Sequence, residues 1–566
     1  MSDENNLNQP SDTAKSTDSP ESSISKTLTK SDPDIIRDDL PITLENIKIA
    51  EKMFGLNYRD SDRDLLHVAI NAYLDDYKNS RDIKIDNHIP PPLYFNPQIP
   101  KMIFNRSSFL PKFNQSRAFE VPENLEDLAF WPILDIANLI YLEKLGSTEL
   151  TKMFIARIKK YDAKLNSVIL ITEDLALERA NNVDDEIRRN KHRGSLHGIP
   201  YGVKDLLAHP KYNTTWGTPP YQHQVIEQTA TVINRLEEKG AILIAKLSLG
   251  ELAWGDVWFG GTTKTPWNTE FGSKGSSAGS AAATAAGLVS FAIGTETWGS
   301  IISPSTRCGV TGLRPTFGRV SRHGVMALSW SMDKIGPICR TVEDCALVFN
   351  AIRGVDGLDP TVVEMPFNYS YGENPAEIRV GYFAAEFEKD EEHKEFNDMA
   401  LNKLRNLGIE LKEVNLPEID AERIAFILVA EAATAFDELT LSGKLDDMIR
   451  QGEDTWPNMF RQARLIPAVE YIKANRIRYL LMQQMNEIFT QVDVIVAPSM
   501  GKNLLVTNLT GHPAVVVPTG FKENKLPVSI TFIGGLYNEA QALRIAKEYQ
   551  DSTKFHNLVP PLDMSQ

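Results

Sequence analysis

Between residues 167 and 293 short apolar runs alternate with helix-length segments, and this alternation constrains the fold more than any other feature of the chain. Residues 167–171, 199–203, 241–245 and 289–293 are of strand length and carry mostly Val, Ile, Leu and Ala. A charged segment ending near Asn190, residues 229–239 before Gly240, and the Ala-rich residues 280–288 read as helices between them. Strands this apolar need cover on both faces, which predicts an α/β fold: a large, mainly buried sheet with helices on both sides. The same texture returns at residues 494–497 and 514–517 (strands) and 540–549 (helix), so one large domain over 126–560 is expected.

The segments before it read differently. Residues 1–40 are polar and offer little to bury, which predicts a disordered tail. Residues 41–125 form a helical and Pro-rich extension: Leu44, Ile47, Ala50 and Met53, then Leu65, Leu66, Ala69, Ile70 and Tyr73, recur at helical spacing. Beyond them Pro90, Pro91, Pro92, Pro97, Pro100 and Pro111 predict an extended strap over 89–122. Gly146 reads as a helix end and Ser147 as the N-cap of the next helix. Residues 355–492 are less regular, with no chemistry of their own, and are expected to shape a pocket.

Charge and cysteine content narrow the class. With 60 basic and 75 acidic residues the formal charge is −15, which lacks the basic footprint of a nucleic-acid binder. Cys308, Cys339 and Cys345 lack metal-site spacing, so neither a metal nor a cofactor is implied, and a reducing, cytoplasmic setting is expected. No targeting segment and no membrane span is read; the longest uncharged run, 275–295, is mostly Ala, Gly, Ser and Thr.

Three segments carry candidate chemistry. Lys204 follows an apolar strand in Gly198-Ile-Pro-Tyr-Gly-Val-Lys204-Asp205; burial would make it a neutral base, whereas pairing with Asp205 would make it a surface residue. Gly272-Ser-Lys-Gly-Ser276-Ser277-Ala-Gly-Ser280 runs into the Ala-rich helix and reads as a loop of N–H and hydroxyl donors, or as a linker. Ser300 follows the turn Gly294-Thr-Glu-Thr297-Trp298-Gly299 and reads as a nucleophile beside oxyanion-holding N–H groups, or as a polar turn. Gly275-x-Ser277-x-Gly279 lacks the preceding strand of a nucleophile elbow. His197, His209 and His323, the nearest histidines, read as surface or hydrogen-bonded residues rather than triad members.

In their order along the chain these segments resemble the amidase signature family. The resemblance runs from about Glu126 to Leu558 and includes Leu196–Asp205, the Gly-Ser-Ser loop, Gly309-Val-x-Gly-Leu-Arg314-Pro-Thr316, Asp333-Lys-Ile-Gly-Pro337 and Thr507-Asn-Leu-Thr-Gly-His-Pro513. It implies the amidase signature fold and a Ser-Ser-Lys triad. Ser300 would be the nucleophile, Ser276 the bridging serine at a cis peptide and Lys204 the base, with Ser277 supporting Lys204. The backbone N–H groups of Thr297, Trp298, Gly299 and Ser300 would form the oxyanion hole. The implied reaction is hydrolysis of a linear carboxylic amide through an acyl-enzyme.

Departures from the family text bear on the substrate. Glu296 stands for Asp, Trp298 for Gly, Ile302 for Arg, and Lys274 and Ala278 for Gly. Arg307 is the expected new partner of Glu296, and Trp298 is expected to narrow the acyl pocket. A second reading is the glutamine-hydrolysing subunit of a tRNA-dependent amidotransferase, against which stand the N-terminal extension and the absence of arginine from residues 430–437. A third is an inactive amidase-like binding protein. The partner expected for the enzyme is a small-molecule amide, not nucleic acid, with a homodimer as the self-association considered.

Overall fold

The computed structural model describes residues 40–562 apart from residues 82, 84, 88, 90, 92, 373 and 374. The expected polar tail, save its last residue, and Pro90 and Pro92 of the strap lie outside the described residues. Two compact units divide between Asp86 and Asn87. In the smaller, helices Leu44–Phe54 and Asp60–Arg81 cover both stretches of helical spacing. Thr43 Oγ1 accepts from the Asn46 N–H while the Asn46 side chain accepts from the Thr43 N–H, and Gly55 closes the first helix in the left-handed conformation. Arg63 reaches back to Glu51 at 2.8 Å and ties the two helices together.

The larger unit is built on an 11-stranded mixed sheet flanked by helices. In chain order its strands are β1 (Val168–Ile171), β2 (Pro200–Lys204), β3 (Ile242–Leu247), β4 (Phe291–Glu296), β5 (Thr311–Arg314), β6 (Lys334–Cys339), β7 (Val380–Phe383), β8 (Leu411–Val414), β9 (Val494–Pro498), β10 (Ala514–Phe521) and β11 (Pro527–Gly534). In space they run β1-β3-β2-β4-β6-β5-β10-β11-β9-β7-β8. β2 is parallel to both β3 and β4, and β4 is antiparallel to β6. These four strands are buried along their whole length, as the apolar runs require when helices cover both faces. Gly336 in β6 has no room for a side chain, since a Cβ there would lie 1.9 Å from the Leu313 carbonyl oxygen.

Some local expectations change. Gly146, not Ser147, is the N-cap of the helix Ser147–Leu165, and no side chain of its own caps it. The Asp184 carboxylate accepts from the Ser147 and Thr148 N–H groups instead, freeing Ser147 Oγ to donate to the Gly198 carbonyl. Residues 355–492 are also more regular than expected. They add β7 and β8, parallel to each other at one edge of the sheet, and the helix Ala468–Gln491. Their signal is weak because both strands have four residues and β8 exposes Lys412 and Glu413 at the edge. The strap is extended as expected: the described residues 93–122 contain no helix, and an isolated bridge joins Lys112 to Ser370. Among the described residues no helix is long and apolar enough to cross a membrane.

At the ends of β2 and β3 Asp205 and Lys246 are wholly buried and lie 2.7 Å apart. Lys246→Met would leave the Asp205 charge buried without its cation, which costs about 3–5 kcal/mol. A urea unfolding series should show that loss as a lower midpoint at unchanged slope.

Candidate active site

The end of β2 delivers Lys204 into the protein interior, where its side chain is fully buried. Asp205, its neighbour in sequence, is turned to Lys246, so the surface pairing of Lys204 with Asp205 does not occur. Lys204 Nζ instead donates to Ser276 Oγ (2.7 Å), Thr295 Oγ1 (2.9 Å) and Ser277 Oγ (3.2 Å). Ser276 and Ser277 come from the loop before the helix Ala278–Ala285, and Thr295 from β4, the strand alongside β2. The peptide between Gly275 and Ser276 is cis. Ser277 Oγ donates to the Thr295 carbonyl (3.0 Å) and accepts from its N–H (3.1 Å), which locks this loop to β4.

Burial drives the Lys204 amine down to about 7, with the negative charges of Asp333 and Glu296 pulling weakly the other way. A neutral amine has two N–H donors and one lone pair, so one of its three contacts must reverse direction. The Ser277 proton is committed to a carbonyl, which leaves the hydroxyls of Ser276 and Thr295 to donate to that lone pair.

Ser300 stands in the turn after β4, nearly buried, and its Oγ makes no hydrogen bond among the described residues. Its carbonyl accepts from the Ser277 N–H at 3.1 Å, joining the turn to the serine loop. The N–H groups of Thr297, Trp298, Gly299 and Ser300 have no acceptor among the described residues. Gly299 takes φ +85°, a conformation that disfavours side chains, whereas Trp298 has an ordinary negative φ and tolerates its indole. The Trp298 side chain is 44% exposed and does not line the pocket described below.

Glu296, at the end of β4, anchors this turn. Its Oε2 accepts from the Ile301 and Ile302 N–H groups (2.8 and 3.0 Å), and its Oε1 accepts from Arg314 (2.7 Å) and Asn508 (2.9 Å). Burial would raise this carboxyl, but the Arg314 charge and the hydrogen bonds outweigh it and hold it below the usual range. The partner is therefore Arg314 on β5, not Arg307. Glu296 leaves its strand pointing toward β5 and β10, where Arg314 also donates to the His512 carbonyl and to Thr507 Oγ1. Arg314, Thr507, Asn508 and Asp333 all lie in motifs visible in the sequence, but residue spacing did not reveal what they touch. Thr295 carried no sequence signal beyond its place beside Glu296.

A pocket with a cavity volume of about 70 Å³ adjoins the site through Thr295 and Thr297. Thr297 Oγ1 donates to Asp333 at 2.6 Å, and Asp333 also accepts from the Leu328 and Ser329 N–H groups. Most of the wall comes from residues 322–335; only Leu358, Asp359 and Pro360 represent the 355–492 stretch expected to shape it. His323 lines this pocket, whereas His197 is buried against Glu186, and neither it nor His209 touches the triad candidates. Among the described residues no cluster of His, Cys, Asp and Glu could hold a metal ion.

The chain and its fold resemble those of known proteins. The family model described as Amidase matches residues 149–506. The chain is 32% identical over 477 residues to a glutamyl-tRNA(Gln) amidotransferase subunit of Methylococcus capsulatus, covering 76% of this chain and 98% of that protein. Among solved structures, the peptide amidase from Stenotrophomonas maltophilia matches with a TM-score of 0.69 at 29% identity, covering 78% of this chain and 100% of that one. The corresponding glutamyl-tRNA(Gln) amidotransferase subunit of Thermotoga maritima matches at 0.65 and 26%, covering 79% and 100%. With a family match over more than half its length and relatives aligned nearly end to end, the chain belongs to the amidase family and is an amidase signature enzyme.

Proposed function

We propose that the chain hydrolyses the C–N bond of a linear carboxylic amide through an acyl-enzyme on Ser300. The observation that carries this reading is the buried Lys204 amine, held near 7 and 2.7 Å from Ser276 Oγ. Neutral Lys204 takes the Ser276 proton as Ser276 takes that of Ser300, and Ser300 Oγ bonds to the amide carbon. The N–H groups of residues 297–300 receive the oxyanion. The proton then returns to the nitrogen, the C–N bond breaks and the amine leaves. Water attacks the ester, releasing the carboxylic acid and restoring Ser300. Three free, buried cysteines fit the reducing compartment expected for it.

A second reading is favoured by the relatives themselves, which are named as glutamyl-tRNA(Gln) amidotransferase subunits. In that reading the same acyl-enzyme forms from glutamine, and ammonia passes to a partner protein. Glutamine turnover appearing only on addition of a tRNA-binding partner would decide for it. The exposed Trp298 is the feature that would support a silent binding protein, and a wild-type chain inert to an activated-serine probe would decide for that.

Intact-protein mass spectrometry after fluorophosphonate treatment should show one adduct on the wild type and none on Ser300→Ala or Lys204→Ala. Amide turnover by Ser300→Ala should fall on the order of 10⁶-fold, at unchanged thermal stability because Ser300 Oγ has no partner to lose. The labelling rate of the wild type should rise about tenfold per pH unit below 7 and level off above it, since only the uncharged amine accepts the proton. A pH-independent rate would remove Lys204 from the role of base.

A further inference from the structure

A second and larger cavity, of about 630 Å³, is bordered by Met102 and Phe104 of the strap and by Phe489, Leu536 and Tyr537. A volume of this size accommodates a small organic molecule. The carboxylate at its border, Asp493, is occupied: it accepts from the Arg379 guanidinium at 2.7 and 3.1 Å and from the Arg379 N–H at 3.0 Å. The His512 ring, 2% exposed, also borders the cavity and lies against Phe489 with ring centroids 4.9 Å apart. Which ring nitrogen carries the proton follows from a neighbouring hydroxyl. Thr510 Oγ1 donates to the Val506 carbonyl at 2.9 Å, so in its 2.8 Å contact with His512 Nδ1 it can only accept. The proton therefore sits on Nδ1, and Nε2 carries a bare lone pair. Burial and the Arg314 charge drive the ring down to about 3, so it is neutral at pH 7. No group among the described residues donates to Nε2.

We propose that this cavity binds a neutral small molecule carrying an O–H or N–H donor on an apolar body, the donor going to His512 Nε2 and the apolar part lying against Phe104, Leu536 and Tyr537. An anion would face the Nε2 lone pair and the Asp493 carboxylate, and a cation would lose its hydration to a carboxylate already neutralised by Arg379. A neutral donor satisfies a buried acceptor that the protein itself leaves unmatched. Two amides at the same cavity can address an oxygen on the ligand. The Asn486 side chain makes no hydrogen bond among the described residues, and Gln541 uses only its oxygen, accepting from Asn538. Lys204, Ser276 and Ser300 do not border this cavity, so the site is separate from the one that carries the chemistry. Met102, Phe104 and His512 also fall outside residues 149–506, so the family match does not account for it.

Two matched pairs of probes test this by isothermal titration of the full-length wild type: benzyl alcohol against benzyl methyl ether, and indole against N-methylindole. Methylation removes the donor and keeps the apolar body. In at least one pair the donor should bind about tenfold more tightly than its methylated partner; the hydroxyl pair would identify an O–H ligand and the indole pair an N–H ligand. His512→Phe keeps the flat contact with Phe489 but removes the acceptor, and should bring the members of that pair to within about twofold of each other. Nitrogen NMR of histidine-labelled wild type should show the His512 Nε2 resonance, assigned by its loss in His512→Phe, moving upfield with the donor and not with the methylated probe. Should His512→Phe not fold, Ala540→Trp, which enters the cavity from a half-buried position on the helix Glu539–Thr553, serves in its place and should abolish binding of every probe. Equal binding within both pairs, no binding of any probe, or a shift at His323 in place of His512 would overturn the proposal and leave the Nε2 lone pair to water.

Discussion

An ε-amine at the end of a strand buried on both faces is the constraint around which this structure is organised. Charged, Lys204 would need a counter-ion in a place with no water, and no carboxylate touches it. Each nearby anion is satisfied by something else. Asp205 is taken by Lys246, Glu296 by Arg314 and Asn508, and Asp333 by Thr297 and two N–H groups. Three hydroxyls are left for the amine, and hydroxyls serve the neutral form as well as the charged one. Were any of these carboxylates released from its partner, its field would favour the ammonium form of Lys204. The ion pairs around the site therefore act on the chemistry by keeping negative charge occupied.

The turn at residues 297–300 depends on a related device. Four N–H groups in succession stay unpaired only if something prevents the turn from folding back to satisfy them. Glu296 does this by taking the two N–H groups that follow, those of Ile301 and Ile302, which fixes where the helix Ile302–Cys308 begins. The carboxylate is held from the far side by Arg314 of β5 and Asn508 of the helix Asn503–Thr510. Ile302, standing where the family text has arginine, is fully buried and packs with Leu504 and Val516. The positive charge beside Glu296 comes from β5.

The parts of this arrangement that obey a local rule were legible in the sequence. Strands β2 to β4 announced themselves as apolar runs because they are covered on both faces, Lys204 and Ser300 were marked by their places at strand ends, and Ser276 by the Gly-Ser loop before an Ala-rich helix. What spacing did not reveal is held by long-range contact. Arg314 lies 18 residues from Glu296 and Asn508 212 residues away, so no window of sequence shows that they meet. Arg307 is nearer in the chain but sits in the helix Ile302–Cys308, where its carbonyl accepts from Thr265 Oγ1. The cap of the helix Ser147–Leu165 was missed for the same reason, since its acceptor, Asp184, belongs to the next helix along. β7 and β8 were hidden differently, by being short and partly charged at the sheet's edge.

The division between chemistry and selectivity follows from where these contacts fall. Lys204, Ser276 and Ser300 all lie inside the segment matched by the family model, on or beside the central strands, where a shift in any backbone is resisted by the sheet. The pocket wall is held by side chains instead. Glu431 accepts from Ser329 Oγ, Ser331 Oγ and the Ser331 N–H, and Arg478 grips the same loop through Ser331. Asn87, outside the matched segment, accepts from the Ala327 N–H at 2.8 Å and donates to the Ala327 and Ala435 carbonyls. Asn87 thus ties the wall of the pocket to sequence that the matched segment does not include, whereas the contacts of Lys204 all lie within it.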